Sequence, residues 1–188
     1  MYTIIGLSGT NGSGKDSVGQ LLAEKYGYLF ISVTDLLRAE AVKRGLPVER
    51  EYLRQISAEW RRESGLGVLV DKAVAEYERQ KDSYKGVIMA SLRNPGEADR
   101  VHELGGVVVW IDADAKIRYD RIFSRQRTPE DNKTFEQFLQ EEADEMNRSS
   151  DDKATLSGAE VKDRSDIFIE NNGSYEELEA AVKAALGL

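Results

Sequence analysis

The 188-residue sequence contains no cysteine and one histidine, His102. The absence of cysteine excludes disulfide bonds and thiolate metal sites, and a single histidine argues against a histidine-built metal site or a Ser-His-Asp triad. No apolar run approaches the roughly 20 residues of a membrane span, and the N-terminus lacks the pattern of a secretory signal. We therefore expect a cytoplasmic protein that does not interact with membranes.

The chain also lacks an excess of basic residues: 34 acidic side chains outnumber 26 lysines and arginines, and the formal net charge is −8. A broad nucleic-acid-binding surface requires basic stripes, so no nucleic-acid partner is expected. Any arginine that matters for function should instead act locally. The length allows one sizeable core, which predicts a single domain over residues 1–188, as a monomer or a homodimer.

A glycine-rich stretch lies between an apolar run at residues 2–7 and a segment with helical periodicity. Its members are Gly9, Thr10, Asn11, Gly12, Ser13, Gly14 and Lys15. Glycines let successive backbone N–H groups converge on one anion, the following helix adds its N-terminal dipole, and the lysine reaches the β- and γ-phosphates. Residues 9–15 are therefore predicted to be a phosphate-binding P-loop.

Strand-like runs alternate with helix-like segments along the rest of the chain. The strands are predicted at residues 28–31, 85–90, 107–111 and 166–169, after a first strand before the P-loop. Three helical segments without an intervening strand lie between the second and third strands. The pattern predicts an α/β fold, a three-layer P-loop kinase with a five-stranded parallel sheet, a helical acceptor-binding insertion over residues 32–82 and a short lid over residues 121–150.

An acidic segment forms the end of the predicted lid region. Residues 136–152 carry seven acidic side chains against one basic residue, Arg148. The simplest interpretation is a solvated helix face with a loose end.

Two further motifs follow the P-loop. Ile31-Ser32-Val33-Thr34-Asp35-Leu36-Leu37-Arg38 and Leu92-Arg93-Asn94-Pro95-Gly96-Glu97 resemble segments of nucleoside monophosphate kinases, in particular adenylate kinases. The chain is also similar to dephospho-CoA kinases and to a poorly characterised archaeal group related to them. The resemblance implies that Arg38 binds the acceptor phosphate, that Arg93 bridges the donor and acceptor phosphates, and that Glu97 lies near the acceptor base.

The donor side has its own resemblance. The segment from Tyr119 to Arg125 is similar to the lid entry of adenylate kinases, which implies that Arg121 stacks on the donor adenine and that Arg125 meets its phosphates, with Arg127 a weaker candidate. Residues 170–174 are similar to the terminal loop of dephospho-CoA kinases, which packs beside the donor base. That loop contains Asn172 and Gly173.

The resemblance implies ATP and Mg²⁺ as cofactors, but the metal ligands are ambiguous. Asp16 stands where a serine or threonine normally follows the P-loop lysine, and Ser17 comes next. The third strand ends at Met89 without the acidic residue that related families often place there. Ser17, Asp16 and Asp112 are therefore all candidate metal ligands.

The expected reaction is phosphoryl transfer from ATP to a nucleoside or deoxynucleoside monophosphate, the small-molecule acceptor. A ribose hydroxyl, as in dephospho-CoA, is the alternative acceptor, and it would need a general base such as Asp35. A third hypothesis is an ATP-binding regulator without catalytic activity. The Lys15-Asp16 pair also leaves open a kinase whose acceptor is a small molecule other than a nucleotide. The candidate catalytic residues are Lys15, Asp35, Arg38, Arg93, Arg121 and Arg125.

Overall fold

The computed structural model describes residues 2–125, 133–147 and 151–188. The candidate Arg127 and parts of the predicted lid region lie outside the described residues. Within them, every helix is too short or too polar to cross a bilayer.

Five strands form one sheet: β1 (Ile4–Gly9), β2 (Leu29–Ser32), β3 (Val87–Ala90), β4 (Val107–Asp112) and β5 (Ile167–Glu170). The helices of the described residues are α1 (Lys15–Tyr26), α2 (Val33–Lys43), α3 (Arg50–Ser64), α4 (Val68–Glu78), α5 (Pro95–Glu103), α6 (Ala115–Arg125), α7 (Phe135–Met146), α8 (Gly158–Asp163) and α9 (Tyr175–Leu186). A short 3-10 helix, Lys81–Ser83, precedes β3.

The strand order is β2-β3-β1-β4-β5, and all neighbouring strands are parallel. The predicted five-stranded parallel sheet is therefore confirmed. Since β1 lies between β3 and β4, the loops that leave the carboxyl ends of these three strands meet at one edge. Open α/β sheets bind ligands at this kind of edge, where the chain switches from one side of a strand to the other.

The strands bury both faces, which gives the three layers. In β4, Val108 and Trp110 pack into a core with α2, α3, α4 and α5, whereas Val109 and Ile111 pack into a second core with α1 and α9. Alternate residues of a strand point to opposite faces, so a nearly continuous apolar run fills both cores.

The acidic segment differs from its predicted solvated state. Residues 135–146 form α7, whose residue Glu145 is only 8% exposed and pairs with arginines of other elements. Glu142 of the same helix pairs with the buried Arg118 of α6. The interpretation of a solvated face was therefore wrong for these two residues, because their charges are matched inside the protein. The additional short helix α8 was not predicted.

A buried ion pair ties the helical insertion to α5. Arg61 of α3 donates to Glu97 Oε1 at 2.7 Å from Nη2, and both side chains are almost fully buried. The remaining oxygen of Glu97 accepts hydrogen bonds from the backbone N–H groups of Arg93 and Asn94. The implied position of Glu97 beside an acceptor base is contradicted, since its carboxylate is already saturated by protein donors.

Replacing Glu97 by glutamine should lower the free energy of unfolding by about 3 kcal/mol, because it leaves the charge of Arg61 buried without a counter-ion. Urea denaturation of the two proteins measures this difference. Glu103→Gln, on the same helix but with a 63% exposed side chain, is the matched control and should change stability by no more than about 0.5 kcal/mol. Equal stabilities of the two variants would contradict the assigned role of the buried pair.

Candidate functional site

The P-loop follows β1 and leads directly into α1, as predicted. Gly9 has φ +141°, and a Cβ there would lie 2.0 Å from the carbonyl oxygen of Ile111. Gly14 caps α1 with φ +95°, and a Cβ there would lie 2.4 Å from the side-chain nitrogen of Asn171. Only glycine fits these two positions, and the two glycines allow the backbone to turn tightly before α1. The N–H groups and the helix dipole at such an N-terminus attract anions.

The loop after β5 supports the P-loop from behind. The Asn171 side chain donates to the carbonyl of Ser13 at 2.7 Å, and its backbone N–H donates to the carbonyl of Asp112. Sequence reasoning selected the two following residues instead. Asn172 accepts a hydrogen bond from the backbone of Asp114 at 2.7 Å, and Gly173 directly precedes the N-cap of α9. A position at the carboxyl end of a strand was the signal that could have identified Asn171.

A cleft of about 400 Å³ opens in front of the P-loop. The predicted site residues that line it are Asn11, Gly12, Gly14, Lys15, Asp16, Ser17, Asp35, Arg38, Arg93 and Arg125. Among the described residues, those predicted for the site that do not line this cleft are Gly9, Thr10, Ser13, Asp112, Arg121, Asn172 and Gly173. The cleft therefore gathers the predicted phosphate-binding groups and leaves the residues assigned to the donor base outside it.

Lys15 is buried at the floor of the cleft, where its ammonium group donates to the carbonyl of Thr10 at 3.2 Å. Burial lowers the pKa of Lys15, and the positive charge of Arg93 lowers it further, to about 8. The carboxylates of Asp16 and Glu145 act in the opposite direction. Because the pKa of Lys15 lies close to physiological pH, the negative charge of a bound phosphate would stabilise the protonated form of this lysine.

The loop after β3 holds Arg93 in a fixed place. Its backbone is bound by Glu97, and its carbonyl accepts from the N–H of Ser157 at 2.9 Å. The neighbouring Asn94 is fully buried and donates to the carbonyls of Lys153 and Thr155. This loop also contains Ser91, a non-glycine residue with φ +76°, a conformation that costs energy and is often found at functional sites.

The guanidinium of Arg93 spans the cleft from the P-loop to α7. It donates to Asn11 Oδ1 at 2.7 Å and to Glu145 Oε2 at 2.5 Å. Glu145 also accepts from Asn11 at 3.0 Å and from Arg54 at 3.0 Å, and it lies 3.6 Å from Arg50. One carboxylate therefore meets three arginines beside the P-loop.

Burial would raise the pKa of Glu145, but the charges of Arg93, Arg50 and Arg54 and a hydrogen bond from Arg54 lower it to about 2. The carboxylate is therefore ionised over the physiological range and is a poor proton acceptor.

Sequence reasoning missed Arg50, Arg54 and Glu145. The two arginines are four residues apart on α3, so they lie on the same face of the helix, and Glu141 and Glu145 have the same spacing on α7. Two arginines four residues apart on one helix and two glutamates four residues apart on another were the signal that could have suggested a contact between α3 and α7.

Asp35 and Arg38 pair with each other on α2. Arg38 Nη1 donates to Asp35 Oδ1 at 2.7 Å, and the side chains are 50% and 65% exposed for Arg38 and Asp35 respectively. Both residues line the cleft, but the carboxylate of Asp35 already has a cationic partner.

The arginines of α6 have separate surroundings. Arg118 is 4% exposed and joins α6 to α7 through a bidentate pair with Glu142. It also donates to the carbonyl of Ala113 at 2.6 Å. Arg125 lines the cleft and is close enough to Lys15 to lower its pKa.

Three buried side-chain atoms in the described part of the chain have no hydrogen-bond partner: Ser13 Oγ, Asp16 Oδ1 and Arg121 Nη1. All three belong to residues predicted to bind nucleotide or metal. Buried polar groups are normally satisfied, and Asp16, which is the one of these residues that lines the cleft, therefore fits a site that takes a polar ligand or a metal ion.

The candidate metal ligands differ in whether their oxygen atoms already accept hydrogen bonds from the protein. Within residues 2–125, 133–147 and 151–188, no group of three histidine or acidic side chains is close enough to hold a metal ion by itself. Asp16 and Ser17 line the cleft, and Asp16 retains an unpartnered oxygen. Asp112 instead accepts from Thr10 Oγ1 at 2.6 Å and from Ala113 N at 2.9 Å. Asp16 and Ser17 therefore fit an ion that also takes ligands from phosphate and water.

The comparisons with known proteins agree with this architecture. Residues 5–154 match the family described as "AAA domain". A shikimate kinase from Bacteroides thetaiotaomicron aligns over 100% of both chains with a TM-score of 0.60 and 14% identity, which shows a shared P-loop kinase fold.

Two relatives cover nearly the whole chain. A UPF0200 protein of Pyrococcus abyssi is 29% identical over 97% of this chain and 95% of its own length. A UPF0200 protein of Pyrobaculum aerophilum is 30% identical over 99% of this chain and 98% of its own length. The chain therefore belongs to the AAA domain family of P-loop proteins and to the UPF0200 proteins.

Proposed function

We propose that this protein transfers the γ-phosphoryl group of ATP to a nucleoside or deoxynucleoside monophosphate, forming the diphosphate and ADP. The observation that carries the proposal is the convergence of cationic groups on the cleft in a chain of net charge −8. They include Lys15, Arg38, Arg54, Arg93 and Arg125, which come from five separate elements. Phosphoryl transfer needs mainly positioning and positive charge around the transferring group, and this arrangement supplies both.

The donor side is formed by the P-loop. The curled backbone and the N-terminus of α1 bind the phosphates of ATP, and Lys15 approaches the terminal ones. Arg125 adds charge from α6. Arg121, whose Nη1 has no hydrogen-bond partner, is assigned to the donor adenine by the family resemblance. Asn172 and Gly173 are assigned to the donor-base side by the family resemblance.

Magnesium would be held by Ser17 and Asp16, with Asp112 acting behind them through Thr10. When bound, the ion neutralises charge on the phosphates. The chain itself contributes the hydroxyl of Ser17 and the unpartnered oxygen of Asp16.

The acceptor side is formed by α2, α3 and the loop after β3. Arg38 and Arg93 are assigned to the phosphates, and a monophosphate already presents an anionic oxygen that needs no general base. The partnership of Asp35 with Arg38 fits this reaction, since the carboxylate then serves to hold the arginine.

A hydroxyl acceptor such as dephospho-CoA is the second candidate. Its support is the position of Asp35 on the cleft wall, with a 65% exposed side chain. A hydroxyl benefits from a carboxylate within hydrogen-bond reach.

A panel of acceptors tests the proposal. ADP formation is measured with AMP, CMP, UMP, GMP, their deoxy forms and dephospho-CoA, and we expect turnover with one or more monophosphates. Lys15→Met should lower kcat by about 10²-fold or more, whereas Lys81→Met, which removes a 56% exposed lysine outside the cleft, should have no effect. Turnover with dephospho-CoA alone would contradict the monophosphate proposal and favour a kinase that phosphorylates a hydroxyl acceptor.

The affinity for ATP should fall about tenfold between pH 7 and pH 9 in the absence of Mg²⁺. In the ligand-free protein the pKa of Lys15 is about 8, so the side chain is charged below this pH and neutral above it. Bound phosphate favours the charged form, so binding above pH 8 requires uptake of a proton. Calorimetric titration measures the affinity, and Lys15→Met should bind weakly with little dependence on pH. A wild-type affinity that stays constant over this range would contradict the placement of Lys15 at the phosphates.

A further inference from the structure

Glu145 lies in the last turn of α7 and projects into the cleft, where its side chain is 9% exposed. Its two oxygens have different partners. Oε1 faces Arg54 at 3.0 Å and Arg50 at 3.6 Å, and Oε2 faces Arg93 at 2.5 Å and Asn11 at 3.0 Å. Every polar contact therefore comes from α3, the loop after β3 or the P-loop.

The charges around this carboxylate do not balance. Within the described part of the chain, Arg54 and Arg93 form ion pairs only with Glu145, whereas Arg50 also pairs with Glu141 at 3.0 Å. Arg54 and Arg93 thus share a single carboxylate, which does not neutralise both charges, and Arg93 is the more buried of the two. A phosphate carries more charge and more acceptor oxygens, so it matches these arginines better than a carboxylate does.

The place lies next to the donor phosphates. Arg93 binds Glu145 with one nitrogen and the P-loop residue Asn11 with another, and both Arg93 and Glu145 influence the pKa of Lys15. An anion held there is adjacent to the terminal phosphate of a nucleotide on the P-loop, as an acceptor must be. A bound nucleotide would also repel the carboxylate of Glu145.

The anchoring of α7 does not depend on Glu145. Phe138 is 2% exposed and packs against Tyr119 and Phe135, and Glu142 binds Arg118. The side chain of Glu145 can therefore rotate away while the helix keeps its packing.

We propose that Glu145 occupies the subsite for the anionic group of the acceptor, and that Arg50, Arg54 and Arg93 bind that group once Glu145 has rotated away. This inference rests on the proposed phosphoryl transfer to an anionic acceptor. It adds two acceptor-binding residues, Arg50 and Arg54, and an internal competitor for their site. The subsite selects acceptors that carry a phosphate or a comparable dianion.

Binding of inorganic phosphate, measured by calorimetry in the presence of saturating ADP, tests the subsite without requiring a known acceptor. Glu145→Gln should bind phosphate about tenfold more tightly than the wild type, because the internal competitor is lost. Arg54→Gln added to Glu145→Gln should remove this gain, because a charge-assisted hydrogen bond is lost.

Matched controls separate these effects from changes in overall charge. Asp144→Asn removes an exposed acid next to Glu145, and Arg62→Gln removes a 57% exposed arginine of α3. Both should leave phosphate binding unchanged. Glu145→Asp keeps the charge on a shorter side chain and should bind phosphate with intermediate affinity, which preserves the test if Glu145→Gln does not fold.

Phosphate affinity that is the same in Glu145→Gln and the wild type would overturn the proposal, as would a gain that survives Arg54→Gln. If Glu145→Gln binds phosphate more tightly but no monophosphate is turned over, the subsite stands and the proposed reaction fails. If a monophosphate is turned over, Glu145→Gln should lower its KM and leave the KM for ATP within about twofold.

Discussion

The ion cluster around Glu145 is the interaction on which the arrangement of the cleft depends. It joins α3, the loop after β3, α7 and the P-loop through one buried carboxylate. Because arginine is always charged, an anion beside the mostly buried Arg93 stabilises the protein. On the proposal made above, ligand binding at this site exchanges one anion for another, and the affinity for an acceptor depends on how strongly the protein holds its own carboxylate.

A second buried charge sets the position of Arg93 in that cluster. Glu97 binds Arg61 with one oxygen and the backbone of Arg93 and Asn94 with the other. The helical insertion and the loop after β3 are thereby fixed to the same side chain. This pair therefore fixes α3 relative to the loop that carries Arg93.

The sheet and the P-loop could be predicted because their signals are local: apolar runs for the strands, and glycines followed by a lysine for the loop. The arginine cluster could not, because Arg54 and Glu145 are 91 residues apart and meet only through the fold. Acidic residues four apart on α7 look the same in sequence whether they face water or buried arginines. The sequence likewise does not show whether Glu97 faces a ligand or the protein interior. In the structure its carboxylate is buried and pairs with Arg61.

A crystal structure with a non-hydrolysable ATP analogue and a nucleoside monophosphate would test the exchange of anions most directly. The account predicts the γ-phosphate at Lys15, the acceptor phosphate in contact with Arg54 and Arg93, and the carboxylate of Glu145 withdrawn from both arginines. Both ligands bound while Glu145 keeps its contacts with Arg54 and Arg93 would contradict it.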